Sequence, residues 1–341
     1  MTFTHHEQTS QPEHVFAEFI RILGKGKKGS RPLTQDEAYR AMTLIMAGEV
    51  LPVQLGAFLM LMRVKEETPE ELAGFVLAAR QACNMDSASV QVDLDWSSYA
   101  GKRRHLPWFL LSALLLAENG ITVFMHGAKG PSATRLYTED MLGYLGLHCA
   151  KSIEEAKQQL AQQHFSYLSL EHFCPKLHEI IELRPILGLR SPVHTLVRLL
   201  NPFNAPCSIQ GIFHPGYRPV HQQAALLLQQ PHAAALKGEG GETERNPDME
   251  CLVQSVHNGQ LLDETWPALF AHRHVKTESL DPKQLALVWE GVVEDEFAQA
   301  SVIGTAAVAL KLLGKANNQQ EAHILASDYW AKRLKKSFKS I

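Results

Sequence analysis

Arg63-Val-Lys-Glu-Glu-Thr-Pro-Glu-Glu-Leu-Ala-Gly74 sets the grammar for the first quarter of this 341-residue chain. Thr68, followed by Pro69 and, three residues on, by Glu71, is a capping box with proline at the first helical position. Thr34 and Glu37 repeat the box upstream, so the segment predicts helices near 35–48, 52–64 and 69–83. Further out, Val15, Phe16, Phe19, Ile20 and Leu23 recur at helical spacing and predict a helix over 13–23 that stops at Gly24.

After residue 89 the pattern changes to short strands between helices, with candidate strands at 90–94, 121–125, 165–169, 208–213 and 233–237. That alternation implies an α/β fold with a mostly parallel central sheet. A helical stretch over 177–200, interrupted by Pro185 and Pro192, can belong to either part, and helices near 284–313 and 318–338 close the chain.

The length suits roughly two domains of about 150 residues. Hydrophobic residues are 45% and charged residues 20%, a globular composition. The longest strongly apolar run, 108–117, is half the roughly 20 residues that a membrane helix needs. Residues 1–14 are polar without an apolar stretch, which points to the cytoplasm and a disordered tail over 1–12. The cysteines (Cys83, Cys149, Cys174, Cys207, Cys251) lie at least 25 residues apart and read as buried thiols, not as a disulfide framework or zinc ligands. Seventeen histidines show no metal-ligand spacing, so no metal site is predicted from them.

The net charge of −3 hides a strong segregation. Three acid-free stretches, 24–31, 101–105 and 332–341, hold 12 positive charges and leave 21 basic against 36 acidic residues elsewhere. Such concentration suits a polyanion; solvated loops and a frayed tail are the alternative. In the first stretch Gly24-Lys-Gly26-Lys-Lys-Gly29 fits a dinucleotide fingerprint, but it follows a helix instead of a strand. It remains a flexible basic loop. In the third, Ala331, Leu334, Phe338 and Ile341 fall on one face of a basic amphipathic helix.

The runs Leu33-Thr-Gln-Asp-Glu-Ala, Gly48-Glu-Val, Gln54-Leu-Gly-Ala-Phe-Leu and 63–74 together resemble the N-terminal helical domain of the anthranilate phosphoribosyltransferase family, glycosyltransferase family 3. The likeness continues through His126-Gly127, Leu145-Gly146, residues 184–190, Leu199-Leu-Asn201-Pro202 and Ala306-Ala307 to Leu310. It implies a nucleoside phosphorylase/phosphoribosyltransferase-like fold: a small helical domain over 13–88, joined by 176–202, that dimerises, and a large α/β domain over 89–175 and 203–341.

The motifs that carry the family's chemistry are altered. Its Gly-Thr-Gly-Gly-Asp pyrophosphate turn is here Ser97-Ser98-Tyr99-Ala100-Gly101, followed by Lys102-Arg103-Arg104. Its Lys-His-Gly-Asn-Arg motif has become Met125-His126-Gly127-Ala128-Lys129, and the serine pair beyond is thinned to Ser132-Ala133-Thr134. Its magnesium-holding Asp-Glu pair falls at Thr243-Glu244. Arg184 matches the arginine that contacts the anthranilate carboxylate, with a salt bridge as the alternative role.

These departures resemble the YbiB-like branch, described as binding nucleic acid without sequence preference. That likeness implies no catalytic residue or cofactor, and DNA or RNA held by a homodimer; the basic residues of this sequence expected to hold it are Lys25, Lys27, Lys28, Arg31, Lys102, Arg103, Arg104, Lys129, Arg135, Lys332, Arg333, Lys335 and Lys336. Gly101, His126, Gly127, Lys129, Ser132, Arg184 and Glu244 would form a vestigial cleft. The competing expectation is a pentosyltransferase of unknown acceptor, which would bring magnesium and a phosphorylated small molecule into that cleft; a scaffold for an acidic protein is the third.

Overall fold

The computed structural model describes residues 12–26, 28–83, 90–275 and 280–336. Four helices open the chain: α1 (Ala17–Gly24), α2 (Gln35–Met46), α3 (Pro52–Lys65) and α4 (Pro69–Cys83). Both capping boxes form. The Thr34 hydroxyl accepts from Glu37 N while Glu37 accepts from Thr34 N. Glu71 and Thr68 do the same, and Glu71 also accepts from Leu33 N, tying α4 to the start of α2. Gly74 is needed there, since a Cβ would lie 2.3 Å from the Gln35 carbonyl oxygen.

The remainder alternates: β1 (Leu94–Ser98), α5 (Phe109–Glu118), β2 (Val123–Gly127), α6 (Thr138–Tyr144), α7 (Ile153–Gln163), β3 (Phe165–Ser169), then short helices α8 (Leu170–Phe173), α9 (Pro175–Glu182), α10 (Arg184–Leu187) and α11 (Val193–Leu196). There follow β4 (Cys207–Ile212), α12 (Tyr217–Leu227), β5 (His232–Lys237), β6 (Cys251–His257), β7 (Gln260–Trp266), α13 (Gln284–Glu290), α14 (Glu296–Leu312) and α15 (Gln319–Lys332). The seven strands form one sheet in the order β3-β2-β1-β4-β5-β6-β7, parallel through β5 and antiparallel from there. The order reverses between β1 and β4, where an open α/β sheet presents its ligand crevice at the carboxyl ends of its strands. One apolar cluster packs α5 and α14 against the sheet; a second joins α1–α4 to the helices of residues 170–203.

Several expectations change. The first strand lies at 94–98, not 90–94: all five of its residues are buried, polar ones included, with Asp95 facing His126 and Ser98 bonded to Thr138. The β6–β7 hairpin was not predicted from the pattern; Asn258 and Gly259 turn it, both at positive φ. Gly291, also at positive φ, ends α13, and the Asp295 carboxylate caps α14, so 284–313 is two helices. Proline and a left-handed Gly188 break 177–200 into short turns. Cys83 and Cys174 are bridged, linking α4 to the start of α9, whereas the sequence suggested separate thiols. The last helix stops at Lys332, so the amphipathic face through Leu334 does not form; Phe338 and Ile341 lie outside the described residues. No helix among the described residues is long and apolar enough to cross a membrane.

Candidate functional site

At the carboxyl end of β1 the chain leaves the sheet through Tyr99, Ala100 and a left-handed Gly101, aiming two consecutive amides into one concavity. The occupant is the chain's own Glu242. Its Oε1 accepts from Ala100 N and Gly101 N, each at 2.6 Å, and its Oε2 accepts from the Ser98 hydroxyl at 2.8 Å. Ser98 Oγ lies 2.7 Å from Thr138 Oγ1, and Glu242 is fully buried.

Two further carboxylates of the same turn close the mouth. Glu239 Oε1 accepts from Arg103 N at 3.1 Å and Arg104 N at 2.6 Å. Glu244 accepts from Phe109 N through Oε2 at 2.9 Å and takes the Lys102 ammonium on Oε1 at 2.6 Å. Lys102 Nζ lies 3.1 Å from Glu239 as well. Burial alone would favour the neutral amine, but the two carboxylates outweigh it and hold the Lys102 pKa above its ordinary value. The same ammonium, against the effect of burial, holds Glu239 below the usual carboxylate range. Glycine permits this approach: a Cβ on Gly238 would lie 1.6 Å from the Glu242 carbonyl oxygen.

Lys102 is therefore buried, contrary to the expectation that it meets a polyanion. Arg135 donates to the carbonyls of Ala100 and Gly101 and braces the same turn. Arg333 is buried too: its guanidinium lies 3.5 Å from the Trp330 ring centroid and donates to the carbonyls of Val288, Trp289 and Trp330, which is what ends α15. Arg31 pairs bidentately with Glu37, Lys129 with Asp140 at 2.7 Å and Lys332 with Asp328 at 2.8 Å. Lys27 lies outside the described residues. That leaves Lys25, Lys28, Arg103, Arg104, Lys335 and Lys336 exposed and without an ion pair among the described residues.

The expected cleft is equally filled. His126 is buried, 2.7 Å from the Tyr99 hydroxyl and 3.3 Å from Asp95. A Cβ on Gly127 would strike the Ser98 carbonyl oxygen at 2.0 Å. Glu244 is spent on Lys102, and Ser132 contacts Thr134 at 3.1 Å. Arg184 does line a cavity, with Arg190, His194, Tyr99 and Tyr137, but of only about 20 Å³, room for one water. Burial and the charges of Arg198, Arg184 and Arg135 push Arg190 down to about 10; burial and Arg190 push His194 down to about 3. Sequence reasoning missed Glu242 and Glu239, although the alternation in Gly238-Glu-Gly-Gly-Glu-Thr-Glu244 signals a flexible anionic turn.

A helical bundle beside a doubly wound sheet with this crevice defines a phosphoribosyltransferase-like fold. The chain belongs to the glycosyl transferase family whose helical bundle domain matches residues 17–83 and whose a/b domain matches residues 109–332. Among solved structures it is similar to anthranilate phosphoribosyltransferase from Thermus thermophilus, with a TM-score of 0.76 at 24% identity over 94% of this chain and 95% of that one. A structure of anthranilate phosphoribosyltransferase from Saccharomyces cerevisiae, in complex with PRPP and Mg, gives 0.73 at 18% identity over 94% of each chain. Among sequence relatives, an uncharacterized protein of Aquifex aeolicus is 28% identical over 278 residues, 81% of this chain and 78% of that one. The uncharacterized protein YbiB of Escherichia coli is 28% identical over 237 residues, 68% and 73%. Anthranilate phosphoribosyltransferase of a Polaromonas species is 26% identical over 308 residues, 87% of each.

Proposed function

We propose that this protein is a cytoplasmic homodimer that binds the backbone of nucleic acid without sequence preference, and that it does not transfer phosphoribosyl groups to anthranilate. One observation carries the reading: the turn that would cradle a pyrophosphate holds the Glu242 carboxylate, while Arg103 and Arg104, two and three residues past that turn, turn their side chains to solvent. Negative charge inside repels a phosphorylated small molecule; positive charge outside attracts a polyanion.

The magnesium that accompanies PRPP in the yeast enzyme does not fit these residues. Thr243 offers no carboxylate, and Glu244 is neutralised by Lys102. Dimerisation through the helical part, 13–88 with 176–202, is supported by the outer face of α3. Val53 and Val64 are 76% and 82% exposed, and Ala57, Met60 and Leu61 complete an apolar stripe at helical spacing. The arginine-lined cavity at Arg184 and Arg190 favours a second reading, a transferase for a small anionic acceptor once the glutamate turn opens.

The test is a binding series with random oligonucleotides at increasing salt. Affinity should fall steeply, about 0.9 log unit per log unit of salt for each duplex phosphate neutralised. A flat response overturns the proposal, and magnesium-dependent product from PRPP and anthranilate above a no-enzyme control would restore the transferase.

A further inference from the structure

The rim of the closed site carries aromatic rings as well as cations. β4 ends at Ile212 and passes the chain to Phe213 and His214, both exposed at the carboxyl edge of the sheet. Phe213 is 51% exposed; its ring centroid lies 4.8 Å from that of His214, with the rings at 83°. Lys237, exposed and without an ion pair among the described residues, ends β5 as the register partner of Ile212, so it stands beside the start of this segment. On the other flank is the glutamate turn: a Cβ on Gly241 would lie 3.4 Å from Phe213 N and 3.6 Å from Phe213 Cβ. Glu239, two residues before Gly241, fixes the backbone amides of Arg103 and Arg104. The two rings therefore follow the strand end that Lys237 pairs with, and Phe213 adjoins the turn whose Glu239 holds the Arg103-Arg104 backbone.

We propose that this edge is a platform for single-stranded nucleic acid, on which unpaired bases stack on Phe213 and His214 while Arg103, Arg104 and Lys237 neutralise the flanking phosphates. The inference rests on the nucleic-acid reading above and adds the strand class to it. Backbone charge by itself does not select a single strand, since a duplex carries the denser charge. An exposed ring does select it: every unpaired base has a π-face to offer, whereas in a duplex those faces are already stacked on one another. Stacking also removes from water the half of the Phe213 ring that the fold leaves exposed.

The experiment compares a 20-nucleotide oligothymidylate with a random 20-base-pair duplex, binding each to the full-length protein by fluorescence anisotropy across a salt series. The expected result is tighter binding of the single strand. Phe213→Ala should weaken that binding about tenfold or more, leave its salt slope unchanged and leave duplex affinity untouched. Phe213→Trp should restore affinity, and its added emission should be quenched by the oligothymidylate. Salt-dependent binding of both strands alike, or a Phe213→Ala effect that is absent or equal for both, overturns this inference and leaves the charge reading standing. Competition by polyglutamate as effective as by the oligonucleotide overturns it in favour of an acidic protein partner. Salt-independent or absent binding to either nucleic acid removes both readings together.

Discussion

Lys102 and Arg103 are adjacent in the chain and occupy opposite worlds. The Lys102 ammonium is buried between Glu239 and Glu244, whereas the Arg103 side chain stands in solvent with no ion pair among the described residues. The contrast extends to their neighbourhoods. Inside the mouth, Glu239, Glu242 and Glu244 each meet a donor from the 98–109 segment. On the rim, Arg103, Arg104 and Lys237 meet none of these carboxylates through their side chains. A run of like charges thus splits by direction: the inward member pairs inside the fold, and only the outward members stand in solvent. The same division separates Arg333, stacked on Trp330, from Lys335 and Lys336 beyond it.

The comparison breaks most readily at Lys102. Removing one partner of a buried ion pair strands the other, so Lys102→Met should cost about 3–5 kcal/mol, measured by urea unfolding. The double variant Lys102→Met with Glu244→Gln should recover a large part of the loss. If Lys102→Met were neutral to stability but weakened nucleic-acid binding, the division between inside and outside would be wrong.

Glu242 gives the next effect. Glu242→Ala leaves the Ala100 and Gly101 amides and the Ser98 hydroxyl without their acceptor, at a cost of about 1–3 kcal/mol. It also reopens an anion site, so millimolar phosphate or pyrophosphate should raise the Tm of the variant and not that of the wild type. Equal shifts for the two proteins would show that the carboxylate does not close the site.

Interior histidines supply a pH dependence with a definite sign. Burial pushes both His194 and His221 down to about 3, below the ordinary unfolded value of about 6.5. The unfolded chain therefore takes up protons first, and stability is full above about pH 6.5 and declines as pH falls from there towards 3. Each histidine contributes a slope of about 1.4 kcal/mol per pH unit. In His221→Gln, the stability loss between pH 6 and pH 4 should shrink by that slope; an unchanged acid limb would place His221 outside the titration.

Much of the fold was legible because local rules decided it. Thr34-Glu37 and Thr68-Glu71 form the boxes their spacing predicts, and four of the five predicted strands lie within two residues of their positions. Asn258-Gly259 is the local signal for the β6–β7 hairpin, which strand periodicity alone does not reveal. The site was less legible, since charge along the chain carries no direction. Nothing local to Gly101-Lys-Arg-Arg-His105 says which cation points inward; that depends on a glutamate turn some 135–142 residues away. Arg333 looked like part of a basic helix because its role depends on two tryptophans, one of them, Trp289, 44 residues distant.

The smallest expected effect sharpens the comparison at the rim itself. Each lost duplex phosphate contact lowers the salt slope by about one unit. Charge read along the chain would assign three contacts to residues 102–104, but burial of Lys102 leaves two side chains able to reach a phosphate. Arg103→Ala with Arg104→Ala should therefore lower the slope by about two units and leave the urea midpoint nearly unchanged, because Glu239 holds these residues by their backbone amides, which alanine retains. Adding Lys102→Met to the pair should lower stability with no further change in slope, measured under conditions where the triple variant stays folded. Arg333→Ala should likewise spare the slope while costing stability, since its guanidinium is occupied by three carbonyls and a ring. A slope change of three units on the triple variant, or one of about one unit from Arg333→Ala alone, would mean that nucleic acid draws these buried cations out of the fold.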